Sequence, residues 1–297
     1  MLSTLRWMRT LGRHFVGLAI LVALPLSGGT ASTAEARFGQ QPCRLPSSLP
    51  SPAALRPHYA LSVQVLQGLR TVKGALTVTF TAPAERGADR VVLRLWPNGV
   101  RYARAGARLS VSRLREGNRL LSVSYPNPTT LVIARPVAAG EQVVISMNWR
   151  LVLPRETGLR MKGGGRSVRL GSFFPLLAWD GNDWALDPAT TLPSAEAWTT
   201  PTADFDVRVT QSARLHMLGS GQLVGPGKWR AQAVRDFTLA LGRFKIVKGT
   251  AHVPAPVRVT VGLEAVPNAT PARVFLRLAI AGLERYSALY GPYPWHT

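Results

Sequence analysis

A single cysteine, Cys43, stands in 297 residues. No internal disulfide can form, so the fold must hold together by burial. Carboxylates are scarce too, with 15 Asp and Glu against 36 Lys and Arg. Five histidines are present (His14, His58, His216, His252 and His296), none four residues from another and none followed by Glu. That excludes an H-E-x-x-H helix, in which two imidazoles one turn apart hold zinc and the Glu between them serves as base. A serine nucleophile elbow is also missing, because Leu218-Gly219-Ser220-Gly221 has the wrong spacing for G-x-S-x-G. Gly221 to Gly227-Lys228 is one residue too long for a P-loop, and Trp229 takes the Ser/Thr place. Gly163-Gly164-Gly165 lacks the third glycine of a dinucleotide fingerprint.

What is present describes a globular, β-rich chain. Hydrophobic residues make up 46% and charged residues 17%, which excludes disorder. Gly 27 and Pro 23 suit many short strands joined by turns. The net charge of +21 points to anionic partners. Yet the basic residues are nearly all Arg and lie scattered along the strands. They form no run of five and no interleaving with aromatics, so nucleic acid is not an expected partner. Loose association with an acidic cell envelope is.

Residues 1–36 read as a secretory signal peptide. Arg6, Arg9 and Arg13 form a basic start, Phe15 to Leu26 is an apolar run too short to span a bilayer comfortably, and Ala34-Glu35-Ala36 offers a cleavage site. The expected location is secreted or extracytoplasmic, or membrane-anchored if the segment is not cleaved. Gln41-Pro42-Cys43 is no lipobox. Residues 37–57, with Pro42, Pro46, Pro50, Pro52 and Pro57, form a Pro-rich linker. Removing residues 1–36, with three Arg and one Glu, leaves +19.

From Tyr59 the apolar period is two. Leu61, Val63 and Val65 alternate with polar residues, as do Leu76, Val78 and Phe80. Val91, Leu93 and Leu95 alternate with Val92 and Arg94, and Val143, Ile145 and Met147 lead into Trp149, Leu151 and Leu153. Such strands bury one face and wet the other. Turn signals such as Pro97-Asn98-Gly99 and Gly117-Asn118 separate them, which predicts an antiparallel sandwich over residues 58–265. Residues 158–202 are irregular and aromatic-rich, with a flexible glycine triplet at Gly163 to Gly165, and should pack over something or line a cleft. Thr270 as N-cap and Pro271 at the first helical position open a helix to Tyr290, ended by Gly291 and Pro292. Phe275, Leu278, Ala279, Gly282, Tyr286 and Leu289 form its apolar face.

Asp180, Asp183 and Asp187 are the one local carboxylate cluster. Their spacing could hold calcium, but Trp184 stands where a third ligand belongs and no Glu follows, so turn-forming or solvated aspartates fit better.

Six short motifs come in an order that resembles bacterial zinc metallopeptidases of the aminopeptidase N type (family M1). They are Leu93-Arg-Leu-Trp-Pro-Asn-Gly99, Leu170-Gly-Ser-Phe-Phe-Pro175 with Trp179-Asp180, Trp184-Ala-Leu-Asp-Pro188, Asp204-Phe-Asp-Val-Arg-Val-Thr210, Val234-Arg-Asp-Phe-Thr-Leu-Ala-Leu241 and Tyr286-Ser-Ala-Leu-Tyr-Gly-Pro-Tyr-Pro294. The resemblance implies a saddle-like β domain over 58–265. It also implies that 266–297 opens an α-rich, thermolysin-like catalytic domain, whose zinc ligands and base would lie beyond Thr297. No catalytic or metal-ligating residue carries over, and zinc is expected only in a longer protein. Ser172, Trp179, Asp180, Asp183 and Trp184 are the candidates nearest the peptide cleft. Many relatives carry a Gln or Glu shortly before the Phe-Pro step to hold the substrate's amine. Here Gly165 to Arg169 has no carboxylate. The implied function is a non-catalytic scaffold forming one cleft wall, inactive alone, with peptide substrate reached through the missing domain. The alternative is a cell-envelope β-sandwich module for adhesion or peptide binding.

Overall fold

The computed structural model describes residues 55–155, 160–189, 200–211, 215–264, 271–295 and 297. The signal peptide, the linker to residue 54 with Cys43, and Thr270 lie outside the described residues.

Strands β1 (His58–Val65), β2 (Thr71–Thr81) and β3 (Val91–Arg94) come first, then a 3-10 turn at Trp96–Asn98 and the short helix α1 (Val100–Arg104). Next are β4 (Arg108–Glu116), β5 (Arg119–Leu120), β6 (Val123–Asn127), β7 (Thr130–Ile133) and β8 (Gln142–Val152). The middle of the chain forms β9 (Ser167–Leu170), β10 (Leu176–Leu177) and β11 (Ala203–Gln211). Then follow β12 (His216–Gly219), β13 (Gln222–Gly225), β14 (Lys228–Val234), β15 (Leu239–Gly242), β16 (Phe244–His252), β17 (Pro256–Glu264) and the helix α2 (Ala272–Tyr290).

The protein is mainly β, as its alternation implies. In β1, Tyr59, Leu61, Val63 and Val65 point inward and their neighbours outward. The same holds for Val143 to Leu151 of β8. The largest sheet runs β13-β14-β11-β1-β2-β8-β4-β5, and smaller sheets run β10-β3-β7-β6 and β12-β15-β9. One pairing departs from the expected antiparallel pattern: β1 and β11 are parallel, with Tyr59 opposite Phe205 and Val63 opposite Val209. Alternation is the same for either direction. A parallel pair only requires a long connection, which the residues between supply.

The three sheets share one core. Tyr59 stacks on Phe205 at 4.8 Å, Phe174 meets both rings edge-on at 6.1 Å, and the Tyr59 hydroxyl accepts the Leu177 amide at 3.0 Å. Four expectations change. The segment expected to be irregular contributes β9 and β10, while its Phe173 to Ala178 pack into the core. Within the glycine triplet Gly163 is a close approach, whereas a Cβ at Gly165 would meet nothing within 4 Å. The Gly163 amide donates to the Pro154 carbonyl, and a Cβ at Gly163 would lie 2.4 Å from the Leu153 Cβ. Val92 and Arg94 do not form a wet face, because β3 is buried on both sides.

The fourth change concerns α2. It lies on the β16–β17 hairpin, where Ile280 and Leu283 pack with Ala251, Val253 and Val257. The expected apolar face is turned outward: Phe275 and Leu278 are 43% and 63% exposed, Tyr286 and Leu289 64% and 39%. The helix has two apolar stripes offset by one residue, about 100° apart, and the hairpin takes the second. No helix among the described residues is long and apolar enough to cross a membrane.

Candidate functional site

The five residues singled out from the sequence fall in two places. Trp179 and Trp184 face each other across a tight turn, edge to face at 4.9 Å, and both rings rest on Phe80. Asp180 and Asp183 form the tip. The Asp180 carboxylate accepts the Asn182 and Asp183 amides at 2.7 and 2.8 Å, and its own amide donates to the Asp183 carbonyl. Those amides hold its pKa below the usual carboxylate value. Asp183 accepts the Trp184 amide at 2.7 Å. Gly181, at φ +110°, supplies the left-handed step. Asp187 turns away, its carbonyl and carboxylate receiving the Arg94 guanidinium. The carboxylates shape a turn, and the tryptophans pin it to the sheet.

Ser172 lies elsewhere. It is buried at φ +51°, and both its amide and hydroxyl donate to one carboxylate oxygen of Asp236, at 2.8 and 2.7 Å. Asp236 as a residue keeps some exposure, but its other carboxylate oxygen is sealed from solvent with no hydrogen-bond partner among the described residues. The enclosed carboxyl decides its titration: burial pushes its pKa up to about 6, against the pull of Ser172 and the charge of Arg160. Asp236 sits between β14 and β15, in the motif Val234-Arg-Asp-Phe, and sequence reading did not single it out. Spacing alone cannot show a carboxyl brought to a serine 64 positions away.

A cleft of about 620 Å³ lies between β12, β13, the β16–β17 hairpin and the segment after α2. Trp229, Tyr293, Trp295, Leu218 and Ile246 line it, and Lys248 and Arg258 bring positive charge without a carboxylate. Ser220 and His216 also border it. The Ser220 hydroxyl is held by Thr238 through its hydroxyl and amide, so it is no activated nucleophile.

Zinc needs three or four N, S or O donors converging. Among the described residues no three His, Cys, Asp or Glu side chains gather that way, so the residues present do not fit a zinc centre.

No family model matches the chain, and no curated protein does. Solved structures do. An aminopeptidase N family protein from Idiomarina loihiensis superposes with a TM-score of 0.52 at 12% identity, over 80% of this chain and 38% of its own. An M1 zinc metallopeptidase from Deinococcus radiodurans gives 0.52 at 18%, over 84% and 57%. A two-domain M1 zinc metallopeptidase variant bound to L-tryptophan gives 0.51 at 17%, again over 84% and 57%. At such identities the likeness is one of fold, to proteins of the type that the six motifs resemble. The chain spans between 38% and 57% of the length of these structures.

Proposed function

We propose that this chain is the non-catalytic amino-terminal part of an exported zinc metallopeptidase of the aminopeptidase N type. One observation carries the reading: the fold extends over 84% of this chain but only 57% of the Deinococcus M1 zinc metallopeptidase. The missing H-E-x-x-H agrees with it, since the metal and base would belong to residues not in this sequence. Their work is to scaffold the remainder and to give one wall of a peptide cleft, for which the Trp179–Trp184 turn is the candidate. Export rests on residues 1–36, and the protein acts outside the cytoplasm, secreted or held by an uncleaved anchor. Association with an acidic envelope follows from its charge.

The test is hydrolysis of aminoacyl 4-nitroanilides by the chain and by the product of its gene read past Thr297. The chain alone should show no turnover with or without added zinc. The longer product should turn over, and lose activity to chelator. Turnover by the chain in excess chelator overturns the reading. So does a reading frame with no H-E-x-x-H in roughly the next hundred-odd residues.

A further inference from the structure

The outer face of the eight-stranded sheet carries two like-charge pairs in direct cross-strand register. Lys73 of β2 lies opposite Arg150 of β8, and Arg208 of β11 opposite Lys228 of β14. Between them runs β1, with Gln64 opposite Lys73 and Ser62 opposite Arg208. All four cations are exposed, and none has an ion-pair partner among the described residues. Like charges directly opposite destabilise a sheet, and two such pairs on one face are a standing cost that an anion relieves.

The face is concave there. A groove of about 430 Å³ is lined by Lys73, Arg150 and Arg208 together with Ser62, Asn148 and Thr210, and no carboxylate borders it. Next to it, a second groove of about 530 Å³ continues past Arg208 to Lys228. The acid bordering that one, Asp206, is already taken by Arg230 and His58. Neighbouring strands lie ~4.8 Å apart and the two pairs are offset by two residues along β1, so their centres are about 16 Å apart. A single small anion cannot reach both pairs, whereas a chain crossing the strands can.

The geometry points to this face as a binding surface for a linear acidic polysaccharide. The cations would take its carboxylates, and the Ser, Thr, Asn and Gln side chains its hydroxyls. Single-stranded nucleic acid is disfavoured, because stacking needs open aromatic faces. Each groove has one aromatic, Trp149 and Trp229, and these are 2% and 6% exposed. A lipid surface is disfavoured by the concavity and because Val224, in the second groove, is the one large exposed apolar side chain among the linings. The inference does not depend on the peptidase reading.

The test is binding of the purified chain to polygalacturonate, with dextran as the uncharged comparison, near physiological salt. Polygalacturonate should bind and dextran should not. The double variant K73Q/R150Q should weaken binding about tenfold, the scale of two charge-assisted contacts. R273Q/R277Q, which removes the same charge from α2, should change it less than about twofold. Polygalacturonate should raise the melting temperature of the parent chain more than that of K73Q/R150Q. The face variant alone should melt no lower than the parent, because a repulsion is gone, and this also reports that it folds. Equal weakening in the two double variants means that net charge alone binds, and overturns the site. Binding of single-stranded DNA or anionic phospholipid vesicles that is tighter than polygalacturonate and lost in K73Q/R150Q overturns the partner class.

Discussion

Ser172 gives both its backbone amide and its hydroxyl to the same oxygen of Asp236. The two residues belong to different parts of the chain, and the bond ties the start of the Phe173-Phe174 core segment to the turn between β14 and β15. The tie has a titration. Burial lifts the Asp236 pKa from 3.8 to about 6, so the folded chain holds this proton more tightly than the unfolded chain. The resulting stabilisation is full below about pH 4 and is lost as pH rises through about 6. The expected loss between those limits is on the order of 2 kcal/mol. Asp236→Asn should flatten that slope, and Ser172→Ala should extend it to higher pH by removing a donor to the charged form. Urea midpoints at intervals from pH 4 to 7 measure both. An unchanged slope in Asp236→Asn would show that other groups set the pH dependence.

Gly74 pairs with Trp149 where the β1–β2 ladder is interrupted, between the pairs Leu61–Leu76 and Gln64–Lys73. The Ser62 hydroxyl there accepts the Ala75 amide at 2.8 Å. A Cβ at Gly74 would lie 1.8 Å from the Ser62 carbonyl oxygen and 2.8 Å from the Trp149 ring. Backbone cannot yield as a side-chain tip can. Gly74→Ala should therefore cost at least about 2 kcal/mol, read as a lower denaturant midpoint with faster amide exchange in β1 and β2.

Arg94 is 2% exposed and reaches Thr130 at 2.9 Å as well as the Asp187 backbone carbonyl. Its contact with the Asp187 carboxylate is long, at 3.3 Å, and that carboxylate is 73% exposed. The carbonyl and hydroxyl bonds and the buried stem should matter more than the charge. Arg94→Ala should cost about 3 kcal/mol through a cavity and unpaired acceptors. Asp187→Asn should cost less than about 1 kcal/mol. A thermal melt comparing the two variants reverses this ordering if the ion pair dominates.

The two stripes of α2 should separate by mutation. Phe275→Ser with Leu278→Ser alters exposed side chains, so stability should hold within about 0.5 kcal/mol while aggregation falls. Ile280→Ala with Leu283→Ala should free the helix from the hairpin. Hydrogen exchange over residues 272–290 reads the difference: fast in the second variant, at parental rates in the first.

Much of the site was legible as composition and not as geometry. The period-two pattern at Tyr59 to Val65 and Val143 to Leu151 announced strands with the correct inner faces, because alternation follows from the pleat whatever the partner. The Asp180–Trp184 segment was legible as a turn for a similar reason, since its bonds are local. Asp236 was not, and neither were the pairs Lys73–Arg150 and Arg208–Lys228, whose members look like scattered charges until strand register sets them side by side.

The amino-acid sequence by itself determined the β class, the inward residues of each amphipathic strand, the single long helix near the end and the absence of an H-E-x-x-H zinc motif. These depend on residue type and short spacing. Only the tertiary structure decided that β1 pairs in parallel with β11, that Arg94 lies inside, that Ser172 meets Asp236, and that Ile280 rather than Phe275 faces the hairpin. Each of these depends on which distant surfaces meet, and a helix with two apolar stripes or a strand apolar on both faces leaves that choice to its neighbours.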